Sequence, residues 1–152
     1  MDYRTENKDS FKVVGLSVST TVQGAGNDVP PVWGDFLKRY KEIKNYIGGM
    51  KNYGVCFETD KKACKFRYIA CAEVSEFENI PESMIMAEVD SSKYAVFTHK
   101  GKLEGLNETY GEITQFMLKS GLKQKNFWFE FYDQKYRGDK PESEFEIWVA
   151  IE

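Results

Sequence analysis

Two rhythms of apolar and polar residues run along this chain. Val14, Leu16 and Val18 alternate with Gly15 and Ser17, the two-residue period of a half-buried strand. Phe145, Ile147, Val149 and Ile151 do the same against Glu146, Trp148 and Ala150. Between such stretches lie two helical patterns. In the first, Trp33, Phe36, Leu37, Tyr40, Ile43 and Ile47 follow three- and four-residue steps. Pro30 and Pro31 suit its start and Gly48-Gly49 its end. Lys38, Arg39, Lys41 and Lys44 fall mostly on its polar side, as a solvated face. In the second, Leu106, Tyr110, Ile113 and Met117 keep the helical spacing, with Asn107 as candidate N-cap and Gly121 as candidate C-terminal stop.

The blocks recur in order. Asp9–Leu16 matches Asp90–Phe97 in pattern, and Trp33–Phe36 matches Tyr110–Ile113. Asn52–Phe57 matches Asn126–Phe131, and Phe66–Glu73 matches Phe145–Glu152. Identities within a block are few, so the shared order carries the argument. The sequence predicts one domain over residues 1–152, with repeat halves at about 1–80 and 84–152 joined through the polar segment 78–83. Each half reads as strand-strand-helix-strand-strand. The fold class is therefore α+β: a duplicated module whose two helices pack on one side of an antiparallel sheet, with a pseudo-two-fold cleft between halves.

One strand stands out. Phe127-Trp128-Phe129-Glu130-Phe131-Tyr132 sets a single carboxylate among five aromatics. Alternation puts Trp128, Glu130 and Tyr132 on one face and the three phenylalanines on the other. The polar turn region 133–144 leads into the last strand, which is expected to pair with this one and to bring Trp148 beside Glu130. In the first half the positions matching Glu130, Trp128 and Trp148 are Cys56, Gly54 and Ile69. The halves agree on core residues and diverge on this face, the expectation for a site in one half whose wall the other completes. A buried carboxylate needs a partner. A lipophilic cation finds a counter-charge in Glu130 and π-faces in Trp128, Trp148, Tyr132 and Tyr110, each cation–π contact contributing about 0.5–2 kcal/mol. The same carboxylate can also serve as a general acid or base.

Composition narrows the classes. A net charge of −3 argues against an autonomous nucleic-acid binder. No apolar run approaches the roughly 18 residues of a membrane span, and residues 1–9 lack the apolar stretch of a signal peptide, so a cytoplasmic protein is expected. Cys56, Cys64 and Cys71 fit no common zinc spacing and read as reduced, packing thiols, with Cys56, which faces the same way as Glu130 by the repeat, also a candidate ligand-binding residue. His99, the single histidine, reads as a surface residue at a strand end. No metal or cofactor is expected, and the sequence sets no oligomeric state.

The segments Tyr94–Gly101, Thr109-Tyr110, Phe129–Asp133 and Glu146–Ile151, with Phe11–Leu16 and Trp33–Phe36 in the first half, together resemble the GyrI-like small-molecule-binding family. This is the effector-binding domain of AraC-type and multidrug-responsive regulators. The resemblance covers nearly the whole chain. It implies a pocket glutamate at Glu130 and aromatic walls at Trp33, Tyr110 and Trp148. Ala150 stands where the family usually has proline. About ten residues precede the first core strand, too few for a helix-turn-helix domain, so the resemblance implies a stand-alone form. Three functions are implied: binding hydrophobic, often cationic aromatic molecules, including drugs and toxins; hydrolysis of cyclopropane-type or other electrophilic genotoxins by Glu130 with Tyr110; and a gyrase-inhibitor-like interaction with a protein partner.

Overall fold

A computed structural model describes residues 1–49 and 51–152. Its strands are β1 (Arg4–Lys8), β2 (Phe11–Thr21), β3 (Asn52–Asp60), β4 (Lys65–Val74), β5 (Ile85–Val89), β6 (Ser92–Lys100), β7 (Gln124–Tyr132) and β8 (Glu144–Ile151). Helix α1 (Ala25–Arg39) follows β2, and helix α2 (Leu106–Ser120) follows β6. The strands form one antiparallel sheet in the order β1-β6-β8-β7-β3-β4-β2-β5. Each half is strand-strand-helix-strand-strand, as its pattern predicts. The halves are interlocked, however. β1 pairs with β6 of the second half, and β5 pairs with β2 of the first.

The centre of the sheet is the β3–β7 pair. There Val55 lies opposite Phe129, its own counterpart in the repeat, so the approximate two-fold axis passes between them. Gly54 therefore faces Glu130, and Cys56 faces Trp128. These are the two symmetry-related copies of one pairing, filled differently.

Both faces of the sheet are apolar. On one face α1 lays Ala25, Val29, Val32, Trp33 and Phe36 against Val14, Phe66, Tyr68 and Ala70. On the same face α2 packs Tyr110, Ile113 and Met117 against Phe97, Phe145, Ile147 and Val149. The other face carries no helix and is buried by curling on itself. Phe11 on β2 lies three strand intervals from β7, about 14 Å along a flat sheet. Its ring nevertheless meets that of Phe129 edge-on at a centroid separation of 5.4 Å. Tyr94 reaches Phe129 from the opposite flank at 5.2 Å.

Helix α1 departs from its expected bounds. It starts five residues before Pro30, with both prolines on its solvent side. The Thr21 hydroxyl accepts from Gly24 N–H at 3.0 Å, and Thr20 donates to Asp28 at 2.8 Å, so the threonines ending β2 tie down the first turn. The carbonyls that the prolines leave without a partner belong to exposed Gly26 and Asn27, where water can serve them. The helix also stops earlier, at Arg39, and Leu37 and Ile47 are exposed instead of core. Helix α2 ends as predicted, on a left-handed Gly121 at φ 76°. Its cap residue is Gly105, with Asn107 already inside the first turn. Among the described residues no helix is long and apolar enough to cross a membrane.

Candidate functional site

Glu130 is buried, at 4% exposure, on the helix-bearing face beside the two-fold axis. Strand alternation on β7 puts it there with Trp128 and Tyr132. Three phenols converge on it. Tyr68, from β4, donates to Oε1 at 2.6 Å, and Tyr132 donates to the same oxygen at 2.8 Å. Tyr110, from α2, donates to Oε2 at 2.6 Å. Behind them Trp33, from α1, donates through Nε1 to the Tyr68 oxygen at 2.8 Å. Its ring also meets Tyr132 edge-on at 5.3 Å. Two strands and both helices thus supply the shell of one carboxylate.

The space for this shell comes from Gly54. A Cβ there would overlap the Tyr68 hydroxyl and come within 2.8 Å of Glu130 Oε1. A glycine in a central strand normally costs packing; here it lets a hydroxyl and a carboxylate meet.

No cation neutralises Glu130, since none of the ion pairs among the described residues includes it. Taking the carboxylate out of water costs several kcal/mol. Hydrogen bonds to a charged group each return about 1.5–3 kcal/mol, so three of them come close to offsetting that cost. Burial still wins and pushes the Glu130 carboxyl above its ordinary value, against the pull of Tyr110, Tyr68 and Tyr132. Burial and the neighbouring Glu130 charge push all three phenols well up, so they stay protonated as donors.

The structure gathers Trp33, Tyr110, Trp128, Tyr132 and Cys56 on the Glu130 side. Trp128 packs on Phe66 at 5.4 Å and bridges the two helix-side cores. Cys56 is buried there as a packing thiol, pushed well up by burial and then by Glu130. Trp148 is a correction. In the β7–β8 register it lies opposite Phe129, while Ile147 lies opposite Glu130. Trp148 therefore stacks on Phe129 at 5.3 Å on the helix-free face. The expectation assumed that the apolar sides of β7 and β8 share one core, whereas this sheet has a core on each side.

His99 is a second correction, since it is buried at 2% exposure. Its ring nitrogens lie 2.7 Å from Thr109 Oγ1 and 2.9 Å from the Lys102 carbonyl, tying the end of β6 to the start of α2. Tyr68 is the residue that the sequence reading missed. It pairs with Cys56 where its counterpart Ile147 pairs with Glu130, so a phenol replaces an aliphatic residue at a matched core position. That contrast between halves was the signal. Among the described residues no cluster of His, Cys, Asp and Glu could hold a metal ion.

The comparisons with known proteins speak to the family and the fold. The family model for the integron-associated effector binding protein matches residues 4–151. The transcriptional regulator BrlR of Pseudomonas aeruginosa is 32% identical over 99% of this chain, which spans 56% of that regulator's length. Among solved structures, SAV2435 bound to tetraphenylphosphonium superposes with a TM-score of 0.75 at 18% identity, over 100% of this chain and 94% of the other. The integron cassette protein VCH_CASS2 from the mobile metagenome of Vibrio cholerae gives 0.69 at 19% identity, over 99% and 95%. At these identities the structural matches speak for the fold.

Proposed function

This chain belongs to the integron-associated effector-binding family, within the GyrI-like fold, and we propose that it binds hydrophobic cationic aromatic molecules with Glu130 as the anchor. One observation carries the reading: a buried carboxylate whose every partner is a neutral phenol. Structural buried acids normally meet a lysine or arginine. Here the counter-charge is left to a ligand. Three of about four acceptor positions on the carboxylate are already taken. A ligand therefore meets its charge and the surrounding rings more than a hydrogen-bonding group. That favours a diffuse, weakly hydrated cation over a primary amine. The tetraphenylphosphonium held by SAV2435 has this chemistry.

The carboxylate is buried, so a ligand must displace part of its cover, and the half-buried rings of Trp33 and Tyr132, in edge-on contact, are the lid of this proposal. The test is a titration of lipophilic dyes, cationic and neutral, against wild type and Glu130→Gln. We expect the variant to lose about 30-fold in affinity for cationic dyes, at the lower end for a buried charge partner, and to keep its affinity for neutral ones. Equal affinity of both proteins for cationic dyes would remove Glu130 as the anchor.

A further inference from the structure

The helix-free face holds a cavity of about 310 Å³ that the Glu130 site does not use. Tyr53, Phe129, Phe131 and Trp148 form its aromatic lining. These rings are fixed in place: Trp148 lies nearly parallel to Phe129, at 19°, and Tyr53 meets Phe131 at 5.2 Å. The Trp148 indole N–H donates to Glu146 at 3.0 Å, and Arg4 pairs with the other oxygen of that carboxylate at 2.8 Å.

The charges at this cavity are the reverse of those at Glu130. Lys8 and Lys51 both line it, and neither forms an ion pair among the described residues. Its one acid, Glu73, accepts from the Tyr53 hydroxyl at 3.2 Å. The repeat explains why the cavity exists on this flank. Lys8 lies opposite Ser92, and its counterpart Val89 lies opposite Phe11. Val89 is fully buried, so the matching flank is closed by an aliphatic side chain. On this flank an amine replaces it, lying over Phe11 with Nζ 4.6 Å from the ring centroid.

We propose that this cavity is a second ligand site, for a flat aromatic anion such as an aryl carboxylate or aryl sulfonate. The ring of the ligand lies against Trp148, Phe129 and Phe131, and its acid group lies between the two lysine amines. Its volume is at the lower end for small-molecule sites, which sets the size at one or two fused rings. Because this cavity is already open, binding needs no movement of α1 or α2.

The probe is naphthalene-2-sulfonate, followed by its fluorescence with the full chain. We expect saturable binding that weakens about tenfold in Lys8→Met/Lys51→Met, each lysine acting as a partly exposed charge. Lys8 is half-buried and Lys51 exposed, and circular dichroism checks that the variant is folded. In Glu130→Gln the affinity for this probe stays within about twofold, which separates this site from the one proposed above. A cationic dye keeps its affinity in the lysine variant. Absence of saturable binding, equal affinity in the lysine variant, or loss of binding in Glu130→Gln each overturns the proposal.

Discussion

The two halves build the same frame and fill its centre differently. Where β3 has Gly54 and Cys56, β7 has Trp128 and Glu130, and the antiparallel register crosses them so that each large residue faces a small one. On the flanking strands Tyr68 of the first half stands where the second has Ile147. On the helices Trp33 stands where the second half has Tyr110, and both reach the centre. Duplication supplies a symmetric scaffold with room at its axis. Asymmetric substitution fills that room with the proposed site, one half giving the acid and two donors, the other a third donor and the gap it needs.

The sharpest way to break this asymmetry is to refill the gap. Gly54→Ala places a methyl group where the Tyr68 hydroxyl and Glu130 meet. Overpacking costs about 1–3 kcal/mol, and the lost charge-assisted hydrogen bond about 1.5–3 kcal/mol. We expect a loss near 4 kcal/mol in urea unfolding, the largest stability effect of these substitutions. A loss below about 1 kcal/mol would mean that the glycine is not what makes the room.

The donors can then be compared across halves. Tyr68→Phe removes one hydrogen bond to Glu130 and also leaves Trp33 Nε1 without its acceptor, whereas Tyr110→Phe removes one hydrogen bond only. We expect losses of about 3 and about 2 kcal/mol respectively. The reverse order would show that the tryptophan finds another partner and that the first half contributes less than the geometry implies.

Glu130 also makes stability depend on pH. Its folded carboxyl is raised by burial above the ordinary 4.5. Between the ordinary and the raised value the folded protein holds more protons than the unfolded one, so stability falls as pH rises through that window. The slope for one such group is at most about 1.4 kcal/mol per pH unit. Glu130→Gln should flatten the profile above pH 4.5, read as midpoints of urea unfolding. Cationic dyes should bind more tightly as pH rises through the same window, because the ionised form is the one they meet. A wild-type profile that matches the variant would place the carboxyl at its ordinary value.

Much of this was legible in the residues. The repeated order of blocks gave the strand-strand-helix-strand-strand halves, and alternation put Trp128, Glu130 and Tyr132 together. Helix bounds were less so, because Pro30 and Pro31 signal a helix start and the actual start rests on the tertiary anchors Thr20 and Thr21. The exchange of β1 and β5 between halves had no local signature, since strand partners are set by long-range packing. Trp148 was misplaced for a related reason. A one-residue choice in the register across the 133–143 turn flips every side chain, and hydrophobicity fixes that choice only when one face alone is buried. Here Phe129 and Ile147 are both in a core, on opposite faces.

That register yields the smallest effect of the series. Trp33 and Trp148 were both expected to wall the Glu130 site, and only Trp33 is on its side of the sheet. Trp33→Phe keeps a ring in the lid and removes the N–H that holds Tyr68, a buried neutral hydrogen bond of about 1 kcal/mol. We expect it to shift the affinity for a cationic dye about fivefold. Trp148→Phe should shift that affinity less than about twofold, because the β7 backbone separates the indole from the carboxylate and no through-sheet contact replaces it. The two variants, titrated with one dye at one pH, read the register directly. Equal shifts would put Trp148 back beside Glu130 and undo the assignment of faces on which both proposed sites rest.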